Sequence, residues 1–241
     1  MMSKYDPTAP ITISPEPVRK VIKRSGRADS SFFSRKMKKW IPAESAGERA
    51  FIRLAELDPS ITEIYAQPIK LLHRSRHGAQ VAYPDFAIMI DGEWEFHEVK
   101  DANDYADPFT KEKLFWVGTE LRSKGYAYSV TLSECIKPLA FSEPVEDLLR
   151  RLATEVPAAA RMTVLRLGQQ GPLTVRSFLK EAPSLKFYHV EAMIAHGDLW
   201  ADVRIPLHLD SAVYPPGCGR FERLIPFTPP VRPIDLPRWV A

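Results

Sequence analysis

Two runs rich in β-branched and aromatic residues, Val81–Ile90 and Trp94–Lys100, stand on either side of a short polar break. The break contains Asp91-Gly92, a dipeptide that favours the two-residue type I′ turn. Extended runs joined by such a turn predict a β-hairpin. We therefore expect two antiparallel strands near the middle of the chain.

Helical patterns flank this hairpin. Ser45-Ala46-Gly47-Glu48 has the S-x-x-E spacing of a capping box, and an apolar stripe follows it as far as Asp58. Asp107-Pro108 predicts the start of a second helix, which should end at Gly125. Further strands are expected at Ile61–Ala66, Ile69–His73 and Tyr126–Leu132, the first two beside the hairpin, with polar loops at Arg74–Ala79 and Asp101–Asp107. This order predicts an α/β core with a mixed sheet flanked by helices.

The second half of the chain is richer in helical patterns. These cover Glu143–Glu155, Ala158–Leu167, a stretch from Gly171 to Lys180, and a helix capped by Ser184 that ends at Gly197. Two short strands, Leu199–Ile205 and Leu207–Tyr214, are then expected around Pro206. Helices followed by a β-hairpin predict a winged-helix-like module. Its recognition helix would carry Lys186 as its one firm cation, so docking to protein is at least as well supported as docking to DNA.

Positive charge is concentrated near the N-terminus. Between residues 19 and 39 there are nine basic residues and one acid: Arg19, Lys20, Lys23, Arg24, Arg27, Arg35, Lys36, Lys38 and Lys39, with Asp29. Such a stretch is either a solvated tail or an arm that lies along DNA phosphates. A nuclease site downstream would favour the arm.

Composition sets the remaining bounds. The chain has 241 residues, is 45% hydrophobic and carries a net charge of +3, which permits a sizeable core and points only weakly to nucleic acid. Its two cysteines make neither a disulfide framework nor a zinc site, and no apolar run approaches the ~20 residues that span a bilayer. We expect a cytoplasmic protein without membrane contact. The predicted divisions are a basic, partly disordered arm (1–39), a catalytic domain (40–139), the winged-helix-like domain (140–224) and a Pro-rich tail (225–241) that docks on a partner.

Three charges should converge at one end of the hairpin. Asp85 follows Pro84 in the first strand, and the strand period of two places Glu98 and Lys100 on one face of the second. Two carboxylates can hold a hard divalent cation such as Mg²⁺, and an adjacent ammonium can orient a water or help to deprotonate it. His97 should lie on the opposite face, packed or hydrogen-bonded. This chemistry suits phosphodiester hydrolysis.

The same residues could also have purely structural roles. Asp85 could close a turn while Glu98 and Lys100 form a surface ion pair of little consequence. Glu48 could bond back to the Ser45 amide, as in an ordinary capping box. No P-loop, Rossmann or G-x-S-x-G pattern is present, so nucleotide binding by those motifs and serine hydrolase chemistry have no support.

Pro84-Asp85 followed by Glu98-Val99-Lys100 resembles the signature of PD-(D/E)xK nucleases. The preceding segment, GERAFIRLAELDPSITEIYAQPIKLL from Gly47 to Leu72, is similar to the opening segment of TnsA, the endonuclease subunit of heteromeric bacterial transposases. The resemblance covers roughly residues 40 to 136. TnsA relatives can carry Gln at the position of Glu98, so the chain departs from them there while keeping the carboxylate of the superfamily.

The resemblance implies a restriction-endonuclease-like core that cleaves the 5′ ends of transposon DNA. It implies Mg²⁺ as cofactor, with Mn²⁺ expected to substitute, held by Glu48, Asp85, Glu98 and the Val99 carbonyl, with Lys100 completing the catalytic set. The implied partners are double-stranded DNA, a TnsB-type transposase and a TnsC-type ATPase regulator. Two alternatives remain: a PD-(D/E)xK nuclease of restriction or phage defence, and a catalytically silent DNA-binding or assembly subunit.

Overall fold

The structure, a computed structural model, describes residues 11–19, 31–75, 78–167, 171–215, 218 and 222–230. The strands are β1 (Phe32–Ser34), β2 (Lys39–Ile41), β3 (Ile61–Ala66), β4 (Leu71–Ser75), β5 (Gly78–Ala82), β6 (Phe86–Ile90), β7 (Glu93–Lys100), β8 (Ala127–Leu132), β9 (Leu173–Thr174) and β10 (Ala212–Val213). The helices are α1 (Ala46–Leu57), α2 (Ala102–Ala106), α3 (Pro108–Ser123), α4 (Ser133–Ala140), α5 (Glu143–Arg150), α6 (Ala158–Leu167), α7 (Val175–Glu181) and α8 (Phe187–Ala195), with a 3₁₀ turn at Arg151–Ala153.

The central element is a four-stranded sheet in the order β3-β6-β7-β8. The β3–β6 and β6–β7 pairs are antiparallel, whereas β8 runs parallel to β7 after the crossover through α3. Asp91 and Gly92 have φ values of 51° and 84°, as a type I′ turn requires. The predicted hairpin and the predicted α/β fold with a mixed sheet flanked by helices are confirmed.

The strands around the hairpin differ from the prediction because proline and positive-φ residues bend the chain. The run Val81–Ile90 is two strands, because Pro84 has no N–H to continue a ladder and the chain bends before β6. Gln67, at φ 44°, and Pro68 turn the chain away from the sheet. As a result β4 pairs with β5 in a hairpin separate from the four-stranded sheet, and the loop predicted at Arg74–Ala79 is largely strand.

The two helices that flank the sheet begin as predicted. The Ser45 hydroxyl accepts the N–H of Glu48 at the start of α1, and Asp107 accepts that of Thr110 at the start of α3. The α3 side chains of Leu114, Val117 and Leu121 are buried. The acidic loop predicted before α3 is partly helical instead, since residues 102–106 form α2.

The second half of the chain contains the predicted helices but not the predicted hairpin. The helix predicted from Gly171 begins at Val175, and Leu173–Thr174 before it form β9. Leu199–Ile205 and Leu207–Tyr214 are not extended strands, because turns interrupt them and Pro206 lies between them. Only Trp200 bridges to Tyr214, and β10 pairs with β9 rather than with a neighbouring strand. The predicted cap at Ser184 is also wrong, since α8 begins after Lys186.

Two apolar clusters hold these elements together. The larger one contains Phe51 of α1 and Ile88 of β6, and it continues without a break to Phe178 of α7 and Met193 of α8. It therefore crosses the boundary predicted between residues 139 and 140. The smaller cluster lies under α3 on the other face of the sheet. None of the helices in the described ranges is long and apolar enough to cross a membrane.

The predicted terminal segments are partly built into the fold. Residues 31–39, predicted as the end of the arm, form β1, a turn and the first residue of β2. Residues 225–230, predicted as part of a partner-docking tail, lie on the edge strand β8, where the N–H of Val130 donates to the Thr228 carbonyl at 2.8 Å. Ile225 is fully buried, so its side chain packs in the protein's own core and is not free to contact a partner. Residues 231–241 lie outside the described ranges.

Candidate active site

Strand pairing brings Asp85 next to the end of β7. Phe86 lies opposite His97 in the antiparallel register, so Asp85, one residue earlier, meets the chain at Glu98 and Val99. The Oδ2 atom of Asp85 accepts the backbone N–H of Val99 at 2.8 Å. This bond fixes the direction of the Asp85 carboxylate.

Glu98 and Lys100 share one face of β7, as predicted. Their side chains form an ion pair of 2.7 Å and are 9% and 25% exposed, so the pair is largely removed from water. Burial disfavours the ammonium, but the carboxylates of Glu98 and Asp85 outweigh it and raise the pKa of Lys100 above its usual value. Lys100 is therefore a charged donor at neutral pH.

The third predicted ligand, Glu48, sits in the first turn of α1, which closely approaches β7 and α4. A Cβ at Gly47 would lie 2.8 Å from the Ser133 Cβ and 3.1 Å from the Val99 Cγ1, so only glycine permits this approach. The Glu48 carboxylate turns back to the start of its helix, where Oε2 accepts the N–H of Glu44 at 2.7 Å and Oε1 accepts the Ser45 hydroxyl at 3.1 Å. The carboxylate caps the helix, although through the Glu44 amide rather than that of Ser45.

Electrostatic effects nevertheless link the four predicted side chains. Burial raises the pKa of Asp85 well above its usual value, and the negative charges of Glu98 and Glu48 raise it further against the opposing effect of Lys100. Burial likewise raises the pKa of Glu48. Three carboxylates thus share one ammonium, an arrangement that favours the uptake of a proton or a cation.

The carboxylates are not arranged as a finished metal site. Within the described ranges, no three His, Cys, Asp or Glu side chains are placed so that they could hold a metal ion. Asp85 and Glu98 offer the hard oxygen donors that Mg²⁺ prefers, and the excess of negative charge fits such an ion. A third carboxylate ligand would require Glu48 to leave the Glu44 amide.

Tyr128 is a further polar side chain at this site that the sequence interpretation missed. It lies on β8, whose parallel register places it on the same sheet face as Glu98, and it is 1% exposed. Its hydroxyl has no hydrogen-bond partner among the described residues. Burial, followed by the charges of Glu98 and Asp85, raises the pKa of Tyr128 well above its usual value. The strand period could have placed this ring in the core, but it does not show that the hydroxyl is left without a partner there.

His97 lies on the opposite face of β7 and is fully buried, as predicted. Its Nε2 lies 2.5 Å from Glu95 and its Nδ1 3.2 Å from the Thr131 hydroxyl. Arg223 donates two hydrogen bonds to the same Glu95 carboxylate, at 2.6 and 3.1 Å. This network joins the C-terminal segment to the sheet and leaves His97 outside the candidate site.

The predicted DNA-binding residues are used in different ways. Arg19 forms an ion pair with Glu44 at 2.6 Å, and Lys39 bonds to the Pro15 carbonyl. Arg35 and Lys38 are exposed. Lys20, Lys23, Arg24 and Arg27 lie outside the described ranges.

Lys36 does not fit the predicted role in DNA binding. Its ammonium donates to the carbonyls of Ala55, Asp58 and Ile61 at 2.9, 2.5 and 2.7 Å. Burial lowers the pKa of Lys36 to about 8, against the opposing charges of nearby acids. The side chain is committed to the C-terminal end of α1, where free carbonyls need donors.

No protein-family model matches the chain, and no curated protein matches it either. The resemblance to TnsA and to PD-(D/E)xK nucleases therefore stays a prediction that rests on the motif residues.

Proposed function

We propose that the protein is a Mg²⁺-dependent DNA endonuclease of the PD-(D/E)xK type. The observation that carries this proposal is the convergence of Asp85, Glu98 and Lys100 at adjacent strand ends of a mixed sheet. An ordinary sheet has no need for three partly buried charges of this kind at one point. The carboxylates at this point outnumber the ammonium, and the resulting net negative charge favours the binding of a cation.

Each side chain has a role that follows from its surroundings. Asp85 and Glu98 would hold the metal, the first with its orientation fixed by the Val99 N–H, and the Val99 carbonyl and Glu48 are the further candidate ligands. Bound Mg²⁺, or Mn²⁺ in its place, would supply Lewis-acid stabilisation of negative charge on the phosphoryl oxygens. Glu48 would move from its helix cap to join the set.

We assign Lys100 the role of a donor rather than a base, because its ammonium is paired with the Glu98 carboxylate at 2.7 Å. Its ammonium orients the attacking water, whose oxygen bonds to phosphorus as the bond from phosphorus to the 3′ oxygen breaks. The water releases a proton to solvent, and the leaving 3′ oxygen takes one up from solvent. A 3′-hydroxyl and a 5′-phosphate result. The hydroxyl of Tyr128, which has no hydrogen-bond partner among the described residues, is a second candidate donor.

The sequence resemblance further suggests a TnsA-type role at the 5′ ends of transposon DNA, with TnsB-type and TnsC-type partners. A winged-helix-like second module is supported by the order α6, β9, α7, α8, the Trp200 bridge and β10, which gives helices enclosing a small sheet. Several α8 side chains, including those of Val190 and Met193, are buried in the core. Binding to a partner protein therefore fits this module better than insertion of α8 into a DNA groove.

One observation favours a second candidate, a silent assembly subunit. Glu48 is engaged in capping α1 and does not point at the other carboxylates as a ligand would. A nicking assay distinguishes the two functions. Purified protein is incubated with duplex carrying transposon ends, with and without the partner transposase, in Mg²⁺ or in EDTA. Metal-dependent breaks with 5′-phosphate ends support the nuclease; no breaks under any of these conditions would support the silent subunit.

A further inference from the structure

The small hairpin of β1 and β2 presents two aromatic side chains to solvent. Phe33 pairs with Trp40 across the strands, and their rings meet edge to face with centroids 5.5 Å apart. Phe33 is 47% exposed and Trp40 is 65% exposed. We call this pair the aromatic platform. Adjacent exposed aromatic rings are a feature of surfaces that bind other molecules.

The platform stands on a rigid base. The buried Glu56 carboxylate of α1 accepts the Ser34 hydroxyl at 2.6 Å and the N–H groups of Arg35 and Lys36 at 2.9 and 3.1 Å. Lys36 adds bonds to the carbonyls of Ala55 and Asp58 at the end of the same helix and to that of Ile61 at the start of β3. The turn between β1 and β2 is thus fixed to α1, so a ligand of the platform would meet a preorganised surface.

Two exposed cations, Arg35 and Lys38, lie in that turn. Neither side chain forms an ion pair or hydrogen bond with another residue in the described ranges. Exposed aromatic rings beside free cations are the combination with which proteins bind single-stranded nucleic acid, because rings stack on bases while cations attract phosphates. A protein partner would explain the rings but gives no reason for the cations.

The same helix links the platform to the candidate active site. Glu48 lies in the first turn of α1 and Glu56 lies eight residues later, which is about 12 Å along the axis at 1.5 Å per residue. A nucleic acid strand could reach both ends of this helix. The hairpin that carries the platform and the candidate active site therefore contact opposite ends of the same helix.

We propose that the Phe33–Trp40 platform stacks on unpaired bases, so that the favoured substrate is DNA with a single-stranded segment next to the cleaved duplex. This deepens the proposed function and rests on it for the identity of DNA as substrate. Bases inside an intact duplex are stacked on their neighbours and offer no face to a protein ring. The platform thus distinguishes unpaired from paired DNA.

Binding of labelled oligothymidylate and of a matched duplex, followed by fluorescence anisotropy over a range of salt concentrations, tests the proposal. Trp40→Ala should weaken binding of the single strand by about 5- to 150-fold, the equivalent of ~1–3 kcal/mol per stacked base. Duplex affinity and the salt dependence should stay unchanged. Lys38→Ala should instead reduce the slope of log K against log salt by about 0.7 on the single strand. Phe227→Ala, which removes another exposed aromatic ring, is the matched control and should change nothing.

Unchanged single-strand affinity in a folded Trp40→Ala protein would overturn the proposal. So would equal losses on single strand and duplex, or weaker capture of the partner transposase with unchanged oligonucleotide binding. Phe33→Leu gives a second test if Trp40→Ala does not fold. Nicking is measured separately. If Trp40→Ala loses single-strand binding but the wild-type protein cleaves no DNA, the stacking proposal is supported and the nuclease function is contradicted.

Discussion

The Asp85 carboxylate accepts the backbone N–H of Val99, the residue between Glu98 and Lys100. One bond thus ties the bend before β6 to the functional end of β7. It orients the buried carboxylate while its charge is opposed by that of Glu98. The ionised Asp85 carboxylate therefore lowers the stability of the fold, although it is well oriented to bind a cation.

Asp85→Asn should raise the thermal stability of the protein at neutral pH. The raised pKa means that the folded state prefers protonated Asp85, so this residue's contribution to stability falls as pH rises from the unfolded-state pKa through the higher folded-state pKa. Asn keeps the acceptor for the Val99 N–H and removes the charge. Thermal unfolding between pH 4 and 8 should show a growing advantage of the variant, at ~2–4 °C in Tm per 1 kcal/mol for a chain of this size. A variant that melts below the wild type at pH 8 would contradict this account.

Mg²⁺ should stabilise the wild-type protein and not Asp85→Asn. A cation that binds only the folded state adds RT ln(1 + [L]/Kd) to the free energy of unfolding, about 2.7 kcal/mol at one hundred times Kd. Melting curves in EDTA and in millimolar Mg²⁺ check this. Asp104→Asn, which removes an exposed acid from α2, should keep the wild-type response; an equal Mg²⁺ effect in all three proteins would mean that the ion binds elsewhere.

Tyr128→Phe should lower cleavage without lowering stability. A buried hydroxyl without a partner costs about 1–3 kcal/mol, so its removal from the free protein is expected to be neutral or stabilising. If the hydroxyl donates to the catalytic group, kcat falls while the affinity for DNA is kept. Single-turnover cleavage rates and melting temperatures of the two proteins provide the comparison. A variant that is less stable yet cleaves normally would place the hydroxyl in a structural role.

Lys36→Met and Lys38→Ala should separate structural from DNA-binding cations. Loss of the Lys36 ammonium removes a buried donor to three carbonyls and should cost on the order of 1–3 kcal/mol of stability. The salt dependence of DNA binding should not change. Lys38→Ala should do the reverse, with little effect on unfolding and a slope on duplex DNA reduced by about 0.9 if its phosphate contact extends to duplex. Denaturant titrations and salt-dependent anisotropy decide between these outcomes.

Local signals in the sequence were enough to predict much of the fold. Asp91-Gly92 identified the turn of the hairpin, and Ser45 and Asp107 identified two helix starts, because each depends on residues close by in the chain. The strand period also placed Glu98 with Lys100 and His97 opposite them. Those predictions needed no tertiary information.

Other features depend on contacts between distant parts of the chain. The sequence does not show that Lys36 reaches the end of α1, that Arg223 meets Glu95, or that Thr228 pairs with the edge of β8. The basic arm and the Pro-rich tail were therefore predicted as free segments, although their described parts pack on the core. The Tyr128 hydroxyl was missed for the same reason.

The most direct test of the central claim is the cleavage of transposon-end duplex in Mg²⁺ by wild-type protein, Asp85→Asn and Asp104→Asn, with the partner transposase present. A metal-dependent break by the wild type and by Asp104→Asn, and none by a folded Asp85→Asn protein that still binds DNA, is the result that our account predicts. Equal cleavage by all three proteins would show that the site at Asp85 and Glu98 does not carry the reaction.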